Sequence, residues 1–435
     1  MVKSKSPIFP SIRLPMAESE PLPKVVRAEL SHPESAAIKD VDRNVIKLLN
    51  ASKRFKLLAR GSRVAITCGS RGIKAKPNIV RAAVSWLKNR GYEPFIVPAM
   101  GSHGGGTAEG QTRLLQELGY TESSMGCRVE ATMEVVQKGF TSQGVPVYLD
   151  KNAAESDAIL VINRVKQHTS FPRDNESGIV KMVAIGLGKA EGARLVHRLG
   201  PIGYSDVLPE WAQVVIDNSP ITYGIGIVEN SRHEPAILKG AEPENFHEVD
   251  SSLLIAAKKL LPTLPFDQID VLIVETLGKN ISGSGMDPAV SGRAEIRGKP
   301  NPIRPFVHKL VILGVTPESH GNGLGIGAAD FTTKKVVENL DLYAMYLNAT
   351  TATSVEKVRI PPVLADESQA IRAAVASSWR LDGENARLCI IKSTLHLDQV
   401  LISTELAAEL GEGGKIISDP TNLEFDKNGN LLTRV

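Results

Sequence analysis

The chain has 435 residues, 42% hydrophobic and 23% charged, which is ordinary globular material and long enough for two domains with separate cores. Fifty-one Lys+Arg against 48 Asp+Glu leave a net charge of +3, with no basic stripe or acidic tail, so the expected partner is a small molecule rather than nucleic acid or a membrane surface. Cys68, Cys127 and Cys389 form no CxxC pair, which excludes a readable disulfide framework, structural zinc site or iron–sulfur cluster.

Residues 1–24 are rich in Pro and Ser and are expected to form an arm or to be partly disordered. Prolines interrupt the place of a signal core, and no apolar run nears the roughly 18 residues of a membrane helix, so a cytoplasmic location is expected. From there the pattern alternates: a strand over 64–68 and a helix over 78–89, a strand over 94–98 and a helix over 107–118, then a strand over 158–163 and a long Gly-punctuated segment. The unbroken run Ala158-Ile159-Leu160-Val161-Ile162 predicts a strand buried on both faces. After Pro262 and Pro265 a second series begins, with strands over 271–274, 310–315 and 388–391 and helices over 331–339 and 369–376. This is the rhythm of βαβ units. It predicts two α/β domains with largely parallel sheets facing each other across a cleft: 1–265 as the cofactor-binding and catalytic domain, and 266–435 closing over it, with the boundary at 261–268.

Several Gly-rich turns carry chemically useful side chains. In Ala99-Met100-Gly101-Ser102-His103-Gly104-Gly105-Gly106-Thr107 a strand ends, glycines permit positive φ, and Thr107 is placed to cap a helix. His103 then stands at the carboxyl end of a strand, where open α/β sheets bind ligands. Arg71, in Gly69-Ser70-Arg71-Gly72, is a guanidinium suited to a carboxylate, or else a solvated turn residue. His168, Lys181 and His197 follow in one stretch, offering acid–base, covalent and metal-ligand chemistry. Each has a structural alternative: His168 against Phe171, Lys189 in place of Lys181 as the functional lysine, and His197 as a helix-face residue beside Arg194 and Arg198. No Walker A loop, HExxH or GxSxG is present, and Gly323, Gly325 and Ala328 match a GxGxxA only some distance past the preceding strand.

Taken together, Arg71 in GSRG, His103 in GSH, His168 before ESGIVK with its Lys181, and His197 sixteen residues later resemble the nickel-dependent lactate racemase family. The resemblance implies a racemase or epimerase that inverts C2 of a 2-hydroxy acid by reversible, proton-coupled hydride transfer. It implies a nickel-pincer nucleotide, a pyridinium mononucleotide with two thiocarboxylate arms around nickel, attached at Lys181, with His197 as the protein's metal ligand. Lys166, Ser177, Gly178, Gly186 and Gly188 would contact the cofactor, Arg71 would anchor the substrate carboxylate, and His103 and His168 would be the two general bases that inversion requires. Cofactor-synthesis proteins would be transient partners. The stretch from Pro172 to Glu176 departs from the tighter Gly/Ser turn of lactate racemases, which sets lactate aside as the substrate. In the second domain the family's Tyr/Gln/Lys cluster is replaced near GSGMDPAVSGR, leaving Asp287 and Arg293, and Arg293 is the expected second substrate contact unless it pairs with Asp287. The competing readings are an NAD(P)-dependent 2-hydroxy-acid dehydrogenase and a non-catalytic binding protein for an acidic metabolite.

Overall fold

The computed structural model describes residues 9–168, 173–298 and 300–435, without the side chain of Pro201. The chain divides into two compact units, Pro33–Leu261 and a second made of Met1–His32 with Pro262–Val435. The segment through His32 therefore belongs with the C-terminal half rather than with the expected domain 1–265. Long-range pairing is the reason: strand Val25–Leu30 lies antiparallel between Gln399–Ser403 and Gly414–Ile416. Of the expected arm, residues 1–8 lie outside the described residues, while the short helix Pro15–Glu18 buries Ala17 in a core cluster with helix Glu367–Ala376.

The Pro33–Leu261 unit is built on a five-stranded sheet in the order Glu93–Pro98, Arg63–Cys68, Ala158–Arg164, Ile221–Glu229, Pro235–Ala241, parallel except for the last strand. Both faces are covered. Along the central strand Ile159 and Val161 enter one core with Trp211, Val215 and Leu253, while Ala158, Leu160 and Ile162 enter another with Ile79, Ala83 and Leu87. The unbroken apolar run thus reflects burial on both sides. Each of these fully buried aliphatic side chains contributes about 1.5–3 kcal/mol, so a charge placed anywhere on this strand would be strongly destabilising. Helix Lys76–Asn89 follows the second strand in space, and Ala108–Glu117 is capped by the Thr107 hydroxyl, which accepts from the Gly110 amide at 3.1 Å. The chain runs outward from Arg63–Cys68 to Glu93–Pro98 and from Ala158–Arg164 to Ile221–Glu229, so the switch in strand order falls between Arg63–Cys68 and Ala158–Arg164. Ligands of open α/β sheets bind at the carboxyl ends of such a strand pair.

The other unit holds an eight-stranded mixed sheet in which Val363–Leu364, Phe331–Thr333, Phe306–Ile312, Gln268–Val274 and Leu388–Ile391 run parallel. The helix expected over 331–339 is split: Phe331–Thr333 is a strand, and Thr333 caps the helix Lys334–Glu338. Gly325 opens a three-residue turn, Ile326–Ala328, with its amide bonded to the Lys357 carbonyl. No phosphate-cradling helix follows there, which removes the dinucleotide motif from the GxGxxA match.

Candidate active site

Three loops leave the carboxyl ends of parallel strands, two of them from the strand pair at the switch point. The first, after Cys68, carries the exposed Arg71. The second, after Pro98, carries the exposed His103, and its main chain is held from beneath. The Gln111 carboxamide donates to the carbonyls of Gly101 at 2.8 Å and His103 at 3.2 Å, and accepts from Lys189 Nζ at 2.6 Å. Lys189 is fully buried and also meets the Pro98 carbonyl at 2.9 Å and Asp150 at 3.3 Å. The donors of Lys189 are thus spent on protein acceptors.

The third loop follows Arg164 and is built by buried polar groups. Lys166 and Ser177 pair through both amides, at 2.7 and 3.2 Å. The Glu176 carboxylate accepts from the amides of His168 and of Arg173 and is ion-paired to Lys258 at 2.6 Å. Asn175 donates to the His247 carbonyl at 2.8 Å and meets the His247 ring at 3.1 Å. Phe171 and Pro172, named in the sequence reading, lie outside the described residues.

From Ile179 the chain becomes helical. A π turn, closed by the Leu187 amide on the Met182 carbonyl at 2.9 Å, follows Lys181 and leads into helix Lys189–Arg198. A second π turn, Gly203–Val207, carries Tyr204. Single π turns of this kind recur at functional sites. The Tyr204 ring is the meeting point: His197 stacks on it with centroids 5.6 Å apart, His168 lies at 5.4 Å, Lys181 Nζ at 5.9 Å and Arg173 Cζ at 5.2 Å from its centre. His168, Lys181 and His197 are thus brought together from one stretch of chain. The His103 loop packs on the same helical run, with the Gly101 amide bonded to the Gly186 carbonyl at 3.2 Å. Burial first, then Arg173, Arg71 and Lys166, lower the Lys181 amine to about 7, with Glu176 opposing. A lysine in that state is nucleophilic at neutral pH.

Five sequence-derived residues receive a different account. Arg293 donates to the carbonyls of Val307 at 3.1 Å and His308 at 2.7 Å and is paired with Asp330 at 3.0 Å and Glu295 at 3.5 Å, so its donors serve the fold of its own unit. Asp287 instead caps a helix, accepting from the Ala289 amide. Gly178 gives Asp250 room to accept the amides of Ile179 at 3.0 Å and Val180 at 3.2 Å, since a Cβ there would meet an Asp250 oxygen at 1.9 Å. A phosphate would have to displace that carboxylate. Gly186 and Gly188 are likewise close-approach positions, facing the Ala99 carbonyl with Met182, and the Ala184 carbonyl. Tyr204, Glu176 and Asp250 went unnoticed in the sequence. A buried Asp or Glu leaves no periodic signal, and the reach of Tyr204 depends on two π turns.

The geometry can be set beside known proteins. The lactate racemase N-terminal domain matches residues 11–202, the segment that includes Arg71, His103, His168, Lys181 and His197. Over residues 11–202 the chain is a homologue of the lactate racemase N-terminal domain. The lactate racemase apoprotein from Thermoanaerobacterium thermosaccharolyticum superposes over 85% of this chain and 99% of its own with a TM-score of 0.51 at 10% identity, so the homologue shares its fold. A crystal structure of a Thermotoga maritima protein aligns over 65% of this chain and 72% of its own, with a TM-score of 0.46 at 15% identity. No curated protein matches. Among the described residues of the homologue no helix is long and apolar enough to cross a membrane.

Proposed function

We propose that the chain is an isomerase that inverts C2 of a 2-hydroxy acid, using a nickel-pincer nucleotide joined to Lys181. The convergence of His168, Lys181 and His197 on Tyr204, at the switch point of a parallel sheet, carries this reading. The residues present fit the group. Lys181 keeps a large neutral fraction at pH 7, Lys166 offers a cation for its phosphate, and His197 offers an imidazole nitrogen suited to nickel. Among the described residues no three His, Cys, Asp or Glu side chains are placed to hold a metal by protein donors alone, so the other donors would come from the group itself. When bound, that group supplies reversible hydride acceptance.

The chain's own residues do the rest. Arg71 pairs its fork with the substrate carboxylate and fixes which carbon faces the reacting centre. His103 and His168 hold or take the hydroxyl proton, one for each configuration, because inversion moves the hydroxyl to the opposite face. Gln111 and Lys189 keep the His103 main chain in place, and Glu176 does the same for His168. Cofactor-synthesis proteins would dock only transiently.

Chiral chromatography of 2-hydroxy acids incubated with cofactor-loaded protein tests the scheme. His103→Ala and His168→Ala are each expected to lose inversion by about 100-fold or more. Full inversion by either variant would refute the two-base arrangement.

A further inference from the structure

Arg173 lies in the stretch that departs from the lactate racemase turn, yet it is firmly placed. Its amide is bonded to Glu176, which also binds the His168 amide and Lys258, while the neighbouring Asn175 is tied to His247. A loop anchored by two buried polar side chains, Asn175 and Glu176, fixes the main chain from which its guanidinium projects. That guanidinium sits 5.2 Å from the centre of the Tyr204 ring, the same ring that His168, Lys181 and His197 meet. Arg71 stands on the loop after Cys68, at the carboxyl end of the strand that pairs in parallel with Ala158–Arg164, the strand from which the Arg173 loop leaves. The loops at this end of the sheet therefore carry two guanidiniums, Arg71, matching the family's carboxylate anchor, and Arg173, beside the Tyr204 ring, which the family's shorter turn does not supply. Two planar forks on loops at the same end of the sheet match two carboxylates better than one, since each pairs with a carboxylate through parallel hydrogen bonds. The cationic surroundings of Lys181 favour a dianionic ligand in the same way.

We infer that Arg173 is a specificity-determining residue that binds a second carboxylate, so that the substrate is a 2-hydroxy dicarboxylic acid. The inference rests on reading this end of the sheet as a hydroxy-acid site. It replaces Arg293, whose donors are held within its own unit.

Isothermal titration of the full chain without cofactor, with malate, lactate and inorganic phosphate as probes at low ionic strength, decides it. Malate is expected to bind at least ~10-fold more tightly than lactate. Arg173→Gln should bring malate to the level of lactate while leaving lactate unchanged, Arg173→Lys should recover only part of the difference, and Arg71→Gln should weaken both. Equal binding of malate and lactate to the unaltered chain, or no effect of Arg173→Gln on malate, would overturn the assignment while leaving the hydroxy-acid reading intact. Loss of phosphate binding in place of malate binding would make Arg173 a phosphate contact. If the folded chain bound neither acid, the hydroxy-acid reading itself would fall, and the assignment with it.

Discussion

Lys181 and Lys189 stand eight residues apart on one helical run, both in dense protein and both with pKa lowered chiefly by burial, yet they do opposite things. Around Lys189 the chain supplies Asp150, the Gln111 carboxamide oxygen and the Pro98 carbonyl. Around Lys181 it supplies mainly other cations and an aromatic face. Burial alone does not mark a reactive amine. The sign and hydrogen-bonding of what faces it do, and this separates a lysine that fastens a loop from one left available for chemistry.

The largest effect expected from this contrast is on stability. Lys189→Met should cost about 3–5 kcal/mol in chemical denaturation, because it leaves the Asp150 carboxylate buried without its cation. Adding Asp150→Asn to that variant should recover part of the loss. A Lys189→Met protein as stable as the original would show that the pair does not fasten the His103 loop.

A pH-dependent effect distinguishes Lys181. Its amine is lowered from 10.5 to about 7, so between those values the unfolded chain binds more protons than the folded one, and stability should rise with pH through this window. Lys181→Met should flatten that rise without unfolding the protein. Amine acylation followed by peptide mapping should give a Lys181 rate that reaches half its plateau near pH 7 while surface lysines are still protonated. A Lys181 that reacts only above pH 9 would break the comparison.

Much of the architecture was legible because strands such as Arg63–Cys68 and Glu93–Pro98 are short apolar runs followed by helical periodicity. The site was legible in part. Arg71 and His103 stand beside glycines in loops that follow strands, where local sequence carries meaning, whereas His168, Lys181 and His197 stood out by their spacing and the resemblance it carries. What escaped depended on distant partners. Strand Val25–Leu30 exists because residues beyond 398 pair with it, and Arg293 looked available because Asp330 and the carbonyls of Val307 and His308 cannot be inferred from its neighbours. Gly178 resembled a phosphate contact because nothing nearby in the sequence announces Asp250. The roles of Tyr204 and Arg173 emerge only when two π turns and a buried Glu176 bring them together.

Lys181 is the residue proposed to carry the cofactor. Intact-protein and peptide mass spectrometry, with metal analysis, should be performed on protein from its native host or co-expressed with cofactor-synthesis enzymes. A covalent increment mapping to Lys181, near-stoichiometric nickel, and loss of both in Lys181→Ala are the expected results. An unmodified Lys181 without nickel, from a host shown to load a known lactate racemase, would contradict the account.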